Sequence, residues 1–201
     1  VGIDMIAGPS EILIYVDQDV HVDAIVYDLF AQAEHDRNAR TFLLSEDEAV
    51  ISEIEDRLEE LIDAQPRSEI IRASIRDNHY AVVDSREALL DMVNHIAPEH
   101  VSIQHRDADM IIRNIRYAGA VFNGYYSPEA IGDYAAGPSH VLPTDRTGRF
   151  SHGLNVNDFM TSHAVISLGQ ETYTEIAGPA KTVAKREQLD AHYQSLRIRT
   201  E

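Results

Sequence analysis

The apolar positions of this chain alternate between two periods. Residues 11–16 (Glu-Ile-Leu-Ile-Tyr-Val) form a short run rich in branched side chains behind the turn signal Gly8-Pro9, which predicts a buried strand. Over residues 21–35 the pattern changes. Val22, Ile25, Val26, Leu29, Phe30 and Ala33 recur at the spacing of one helix face. Strand-like runs return at 41–44, 80–83, 101–104 and 119–122. Between them lie further helical patterns. Val50, Ile51, Ile54, Leu58, Leu61 and Ile62 follow a capping box of Ser45 and Glu48. Ile70, Ile71 and Ile75 follow Pro66, Leu89, Leu90, Val93 and Ile96 follow a Ser85 cap, and Ala108, Ile111, Ile112 and Ile115 close the series. The alternation predicts an α/β fold, a mostly parallel sheet with helices on both faces.

The rhythm stops after Phe122. Gly, Pro, Asn, Asp, Ser and His dominate residues 123–153, the composition of an ordered loop or an active-site segment. Beyond it the pattern predicts a short helix at 155–161, a strand at 163–168 and a helix after Gly178-Pro179. Ile176, Ala180, Val183 and Ala184 give this last part an apolar stripe. The expected division is therefore an α/β body over residues 1–150 and a helical tail over 151–201. The tail's stripe packs on the body or on another subunit.

Charge narrows the partners. The chain carries 34 Asp and Glu against 17 Lys and Arg, a net charge of −17. Phosphate backbones would be repelled, so nucleic acid is not an expected partner, whereas cationic molecules and metals are favoured. There is no cysteine, which removes disulfides and thiolate ligands and fits a reducing, cytoplasmic setting. No apolar run approaches the roughly 18 residues of a membrane span, and no signal peptide is visible. The chain opens Val1-Gly2-Ile3-Asp4, without Met and already apolar, as if entered within a fold.

Candidate chemistry gathers at element ends. Gln32 and His35 are spaced i, i+3 on one helix face, with an imidazole suited to zinc and an amide oxygen suited to a harder site. Glu99 and His100 follow Pro98 and lead into an apolar run, as a water-activating carboxylate and a proton-accepting imidazole would. Asp133 sits after Gly132, and His140 after Gly137-Pro138-Ser139. Glu187 and His192 are about 140° apart on a continuous helix, so they serve one ligand only if the helix ends between them or the ligand lies across its end. Taken singly, each of these is as well explained by a solvated, turn-forming or helix-capping role. Taken together they offer a mixed nitrogen–oxygen metal site drawn from Gln32, His35, Asp133 and a further His. Glu99 and His100 would be its acid–base groups. No substrate follows from the pattern.

The ordered motifs Ala7-Gly8-Pro9-Ser10-Glu11, Ala33-Glu34-His35, Pro98-Glu99-His100-Val101, Gly119-Ala120-Val121-Phe122, Ser127-Pro128-Glu129, Gly132-Asp133-Tyr134 and His140-Val141-Leu142-Pro143-Thr144 resemble histidinol dehydrogenases, as does the tail pattern ending Ala191-His192. The resemblance covers almost the whole chain and matches the carboxyl-terminal half of the family, so the Rossmann-like sheet is expected to be an incomplete part of a larger architecture. It implies zinc-dependent oxidation of L-histidinol to L-histidine through the aldehyde, with NAD as hydride acceptor and the nucleotide-binding region upstream of this chain. By matching position, Gln32, His35, Asp133 and His192 are the implied zinc ligands, and Glu99 and His100 the acid–base pair. Ser10, His140 and Glu187 are implied to join these side chains in contacting substrate. The family's tail crosses within a homodimer, so His192 and Glu187 would complete the neighbour's site. The alternatives are a related dehydrogenase acting on another small alcohol, and a non-catalytic metal-binding module.

Overall fold

The computed structural model describes residues 8–76 and 79–200. The opening motif Val1-Gly2-Ile3-Asp4 lies outside the described residues. The chain forms two compact units, residues 1–159 and residues 160–201.

The first unit is built on five parallel strands: β1 (Glu11–Val16), β2 (Arg40–Ser45), β3 (His79–Val82), β4 (His100–Gln104) and β5 (Ala120–Asn123). Their order across the sheet is β3-β2-β1-β4-β5. Helices α1 (Val22–Ala33), α2 (Glu48–Ile62) and α3 (Ser68–Ile75) carry the chain outward from β1 to β3. Helix α4 (Arg86–Ile96) brings it back across the sheet to β4, and α5 (Ala108–Ile112) continues to β5. Strand order therefore reverses between β1 and β4, the doubly wound arrangement.

Each strand's period of two divides its residues between two cores. Ile12, Ile14, Val16 and Leu43 pack against Ile25, Val26, Leu29 and Phe30 of α1 and Val50, Ile51, Ile54 and Leu58 of α2. Leu13, Tyr15, Val101 and Ile103 pack on the opposite side with Leu89 and Val93 of α4 and Ile111 of α5. β1 is buried along its whole length. That explains why residues 11–16 read as a continuous apolar run.

Local chemistry differs from expectation at the start of α2 and in the segment after β5. The predicted Ser45–Glu48 capping box is not the start of α2. Asp47 is the N-cap and accepts from the Ala49 N–H, while Ser45 accepts from the Asp47 N–H one step earlier. Ser85 does cap α4, accepting from the Ala88 N–H. The loop expected over 123–153 contains a six-residue helix, α6 (Glu129–Tyr134), too short for its pattern to stand out. Single helical turns also occur at Thr147–Arg149 and Val156–Phe159.

The second unit is a helix pair. No strand forms at 163–168 among the described residues. Helix α7 (Gln170–Arg186) begins well before Gly178-Pro179 and runs through it. Proline removes a helix hydrogen bond there, but packing with α8 (Asp190–Arg197) holds the helix: Tyr173 donates to the Leu196 carbonyl and Lys181 to the Thr200 hydroxyl. Of the expected stripe, Ala184 is buried, and so is Ala177 beside it, whereas Ile176 and Val183 are about half exposed.

Candidate active site

The polar cluster forms at the amino edge of the sheet. The Ala97–His100 segment lies there because it joins the end of α4 to the start of β4. Ala97 closes α4 in the left-handed conformation, φ 48°, with its N–H on the Val93 carbonyl. An L-residue in that region costs about 1–3 kcal/mol. The bend turns the chain so that Pro98 and Glu99 lead straight into β4. Opposite them Gly119 donates to the Pro98 carbonyl and Ala120 to the Glu99 carbonyl. A Cβ at Gly119 would come within 2.6 Å of that Glu99 carbonyl oxygen, so only glycine lets the two backbones approach here.

β4 is central, yet it is apolar on one face only. His100 lies opposite Ile12, Ser102 opposite Ile14 and Gln104 opposite Val16, so these three polar residues share the face toward α1. All three are buried. The His100 Nδ1 lies 3.0 Å from the Glu11 carbonyl oxygen and 3.2 Å from Gln32 Oε1. Both partners are acceptors, so Nδ1 carries the proton and donates. Nε2 is left with its lone pair. Burial lowers the His100 pKa to about 4, keeping the ring neutral near pH 7.

Glu99 is held beside it. Its Oε2 accepts the Glu11 N–H at 3.1 Å and stands 3.7 Å from His100 Nδ1. Burial raises its pKa to about 7; bonds from the Glu11 N–H and the Ser10 side chain oppose that rise, and the charges of Glu11 and Asp133 add to it. Ser10 thus touches Glu99 directly. Glu11 is buried too, accepting from Arg40 at 3.0 Å and from the Asp145 N–H at 3.3 Å.

Helix α1 supplies the opposite wall. It ends at Ala33, two residues short of the expected His35, and His35 follows in a turn whose N–H reaches the Gln32 carbonyl. Gln32 is 1% exposed and its Nε2 has no hydrogen-bond partner. His35 is exposed, but its ring nitrogen lies within 4.8 Å of carboxylate oxygens of Glu129 and Asp133 on α6, and these oxygens lie that close to each other. Glu129 Oε1 also stands 3.8 Å from His100 Nε2. Burial and the neighbouring Asp133 carboxylate raise the Glu129 pKa. Asp28, a turn before Gln32 on α1, is raised by burial to about 6. Gly132 lets α6 lie against the Phe122 ring, whose carbons would be 2.8 Å from a Cβ there. A cavity of about 320 Å³ opens beside these groups, lined by His100, Phe122, Asp133 and His140 among others.

The first unit therefore brings together Ser10, Gln32, His35, Glu99, His100, Asp133 and His140. Glu187 and His192 belong to the second unit, where both are exposed. Glu187 is the C-cap of α7, Gln188 follows with φ 60°, and His192 lies in α8, so the helix does end between them. Two residues of the cluster had no assigned role in the sequence, Glu129 and Asp28. The i, i+4 spacing of Glu129 and Asp133, and of Asp28 and Gln32, is the signal that finds them. A second signal is the polar–apolar alternation of His100-Val101-Ser102-Ile103-Gln104 in a strand buried on both faces.

A buried neutral imidazole with a free nitrogen, a carboxyl of raised pKa and a histidine–carboxylate cluster define the class. These are the groups of a candidate metal-binding and acid–base site, set on a doubly wound α/β framework. Comparison with known proteins identifies the family. The family model for histidinol dehydrogenase matches residues 1–200, and the chain belongs to that family. It is 51% identical over 201 residues to the histidinol dehydrogenase of Staphylococcus saprophyticus, covering 100% of this chain and 48% of the relative. It is 49% identical over 200 residues to that of Staphylococcus aureus, covering 99% and 48%. The crystal structure of histidinol dehydrogenase from Elizabethkingia anophelis superposes with a TM-score of 0.91 at 31% identity, over 99% of this chain and 46% of that one. The chain spans about half the length of the curated relatives it matches.

Proposed function

We propose that the protein containing this chain oxidises L-histidinol to L-histidine through the aldehyde, in histidine biosynthesis in the cytoplasm, with NAD⁺ as hydride acceptor and Zn²⁺ as metal. The observation that carries this reading is the convergence of the Glu99–His100 pair and the His35–Glu129–Asp133 cluster on one buried edge. The donor set fits zinc: one imidazole and two carboxylates within 4.8 Å of one another. Gln32, His35 and Asp133 would hold the ion, with His192 as the further ligand. Zinc bound there would supply Lewis-acid polarisation and fix the orientation of the substrate.

The chain's own residues account for the proton movements. His100 Nε2 takes the hydroxyl proton as hydride leaves the adjacent carbon, converting the alcohol to the aldehyde. Its Nδ1–H stays on the Glu11 carbonyl, so the imidazolium forms in a fixed orientation. Glu99, as carboxylate, then removes a proton from the water that hydrates the aldehyde, and the hydrate loses the second hydride. With a pKa near 7, Glu99 is matched to proton transfer at neutral pH. Ser10, His140 and Glu187 would contact the substrate, Glu187 facing its ammonium group.

Among the described residues, the two crevices at the carboxyl edge beside β1 are lined by Asp17, Asp19, Glu46 and Asp47 with only Arg106 and histidines against them, and that excess of carboxylates disfavours a pyrophosphate. No step is assigned to those crevices.

A homodimer that exchanges its tails is supported by the half-exposed Ile176 and Val183 of α7 and by the exposed His192. Turnover of L-histidinol by the zinc-loaded protein, against an uncharged or anionic diol, tests the reading. NADH formation specific to histidinol supports it; equal or better rates on the diols would point to a related alcohol dehydrogenase instead.

A further inference from the structure

Both main-chain polar groups of Glu11 point at the acid–base pair. Its N–H donates to Glu99 Oε2 at 3.1 Å, and its carbonyl accepts from His100 Nδ1 at 3.0 Å. One residue therefore sets the place of the carboxylate and the tilt of the ring. Glu11 is also the first residue of β1, directly after Gly8-Pro9-Ser10, and the end of an element is the part most free to shift. Its side chain is anchored on the other face of the strand. By alternation it shares that face with Leu13 and Tyr15, and there the carboxylate is 2% exposed. Arg40 is its register partner on β2, and Arg40 Nη1 donates to Glu11 Oε1 at 3.0 Å. The same nitrogen reaches Asp145 Oδ1 at 3.3 Å, and the Asp145 N–H donates to Glu11 Oε2 at 3.3 Å. Both oxygens of the Glu11 carboxylate are thereby held, one from β2 and one from the loop after His140. A charge pair taken out of water adds little net stability, and apolar side chains of similar size often pack in its place at no loss. What this pair supplies is a single position for the start of β1.

We propose that Glu11 and Arg40 are positioning residues for the acid–base pair. Their ion pair, closed by the Asp145 N–H, pins the start of β1, so that the Glu11 N–H and carbonyl hold Glu99 and the His100 ring in the geometry that proton transfer needs. This rests on the acid–base roles proposed above and deepens them. Neither side chain touches the reacting atoms; each acts through the main chain of Glu11. The pin serves both oxidations, since Glu99 is held by the N–H and His100 by the carbonyl of one residue.

The test compares the zinc-loaded, full-length protein containing this chain with its Arg40→Gln, Arg40→Lys, Glu11→Gln and Glu11→Gln/Arg40→Gln variants, circular dichroism confirming that each is folded. Arg40 is about half exposed, so its replacement empties no core. Arg40→Gln is expected to lower kcat on L-histidinol roughly 100-fold, the cost of a misplaced catalytic group, with KM unchanged because substrate contacts are not touched. One nitrogen of Arg40 makes both contacts, so the ammonium of Arg40→Lys is expected to restore most of the rate. The double variant is expected to lose no more than the worse single one, since the two side chains act as one pin. A parent-like kcat in Arg40→Gln overturns the proposal, and so does a loss that Arg40→Lys leaves unrepaired or that appears in KM alone. A second measurement needs no turnover. With ¹⁵N-labelled histidine, the His100 Nδ1–H of the resting protein is expected to give a slowly exchanging signal in the parent and in Arg40→Lys, and to exchange faster with solvent in Arg40→Gln and Glu11→Gln. Equal exchange in all of them overturns the pin. If the parent forms no NADH from L-histidinol, the proposed substrate falls, and the ring signal still decides the role of Glu11 and Arg40.

Discussion

The two edges of the sheet carry similar charges and treat them in opposite ways. At the amino edge, Glu11, Glu99 and Glu129 are buried to within a few per cent. The pKa of each is raised, with loss of water the largest cause. At the carboxyl edge, burial also pushes the Asp17 carboxyl up, but the N–H groups of Arg106 and Asp19 and the charges of His105 and Arg106 outweigh it and lower its pKa. Asp17 accepts both N–H groups at 3.0 Å and pairs with the Arg106 guanidinium at 3.4 Å. Tyr15 and His105 stack beside it, centroids 5.1 Å apart. The carboxyl edge is a satisfied surface. The amino edge holds its carboxyls out of water, beside the buried Gln32 amide whose Nε2 has no partner. In open α/β sheets the carboxyl edge is the usual ligand site; here α1 and α6 pack over a polar face of β4 and gather the buried polar groups at the other end.

Substitutions at the two edges should separate sharply. His100→Ala removes the base and is expected to lower kcat roughly 1,000-fold in the zinc-loaded protein carrying this chain. A loss of only a few-fold would mean that His100 is a packing residue. Next come the glycines. At the amino edge, Gly119→Ala presses a methyl group on the Glu99 backbone and should destabilise the fold by about 1–3 kcal/mol in urea melts. Gly124, just past β5 at the other edge, meets nothing within 4 Å and only has φ 77° to lose, so Gly124→Ala should cost about 1 kcal/mol. Equal effects would say that the close approach of β4 and β5 is not tight.

Glu99 is one of the buried amino-edge carboxyls, with Glu11 and Glu129, whose raised pKa makes stability depend on pH. Its folded-state pKa, about 7, lies above the ordinary 4.5. The folded state therefore binds the proton more tightly, and this contribution is complete below pH 4.5 and lost as pH rises through 7. Urea midpoints of the metal-free chain should fall between pH 5 and pH 8, and Glu99→Gln should flatten that slope. An unchanged slope in the variant would place the titration elsewhere. Smallest of all, Arg106→Ala at the exposed carboxyl edge should change stability by no more than about 0.5 kcal/mol.

Much of the framework was legible because its strands and helices keep clean periods. The run 11–16 and the stripe Ile25, Val26, Leu29, Phe30 have one reading each, and both form as expected. What escaped depends on tertiary packing. Helix α6 has six residues and is stabilised by its seat on Phe122 and α1, so its sequence carries no pattern long enough to read. Helix α7 crosses Gly178-Pro179 because α8 supports it, against the local preference of that dipeptide. The site was legible as residue types. Its location was not, because the turn at Ala97 that puts Glu99 and His100 at the amino edge is made by a residue with no glycine signature. Glu129 went unread because its i, i+4 pairing with Asp133 counts only once residues 129–134 are known to be helical.

The central claim is that His100 and Glu99 divide the two oxidations between them. The most direct measurement is the NADH formed per molecule of L-histidinol by the zinc-loaded protein containing this chain and by its Glu99→Gln variant. The account predicts two NADH per histidinol in the parent, and in the variant a first oxidation followed by a much slower second, so that the yield at early times falls toward one. A variant that makes both NADH at the parent's ratio, or a parent that makes none, would contradict it.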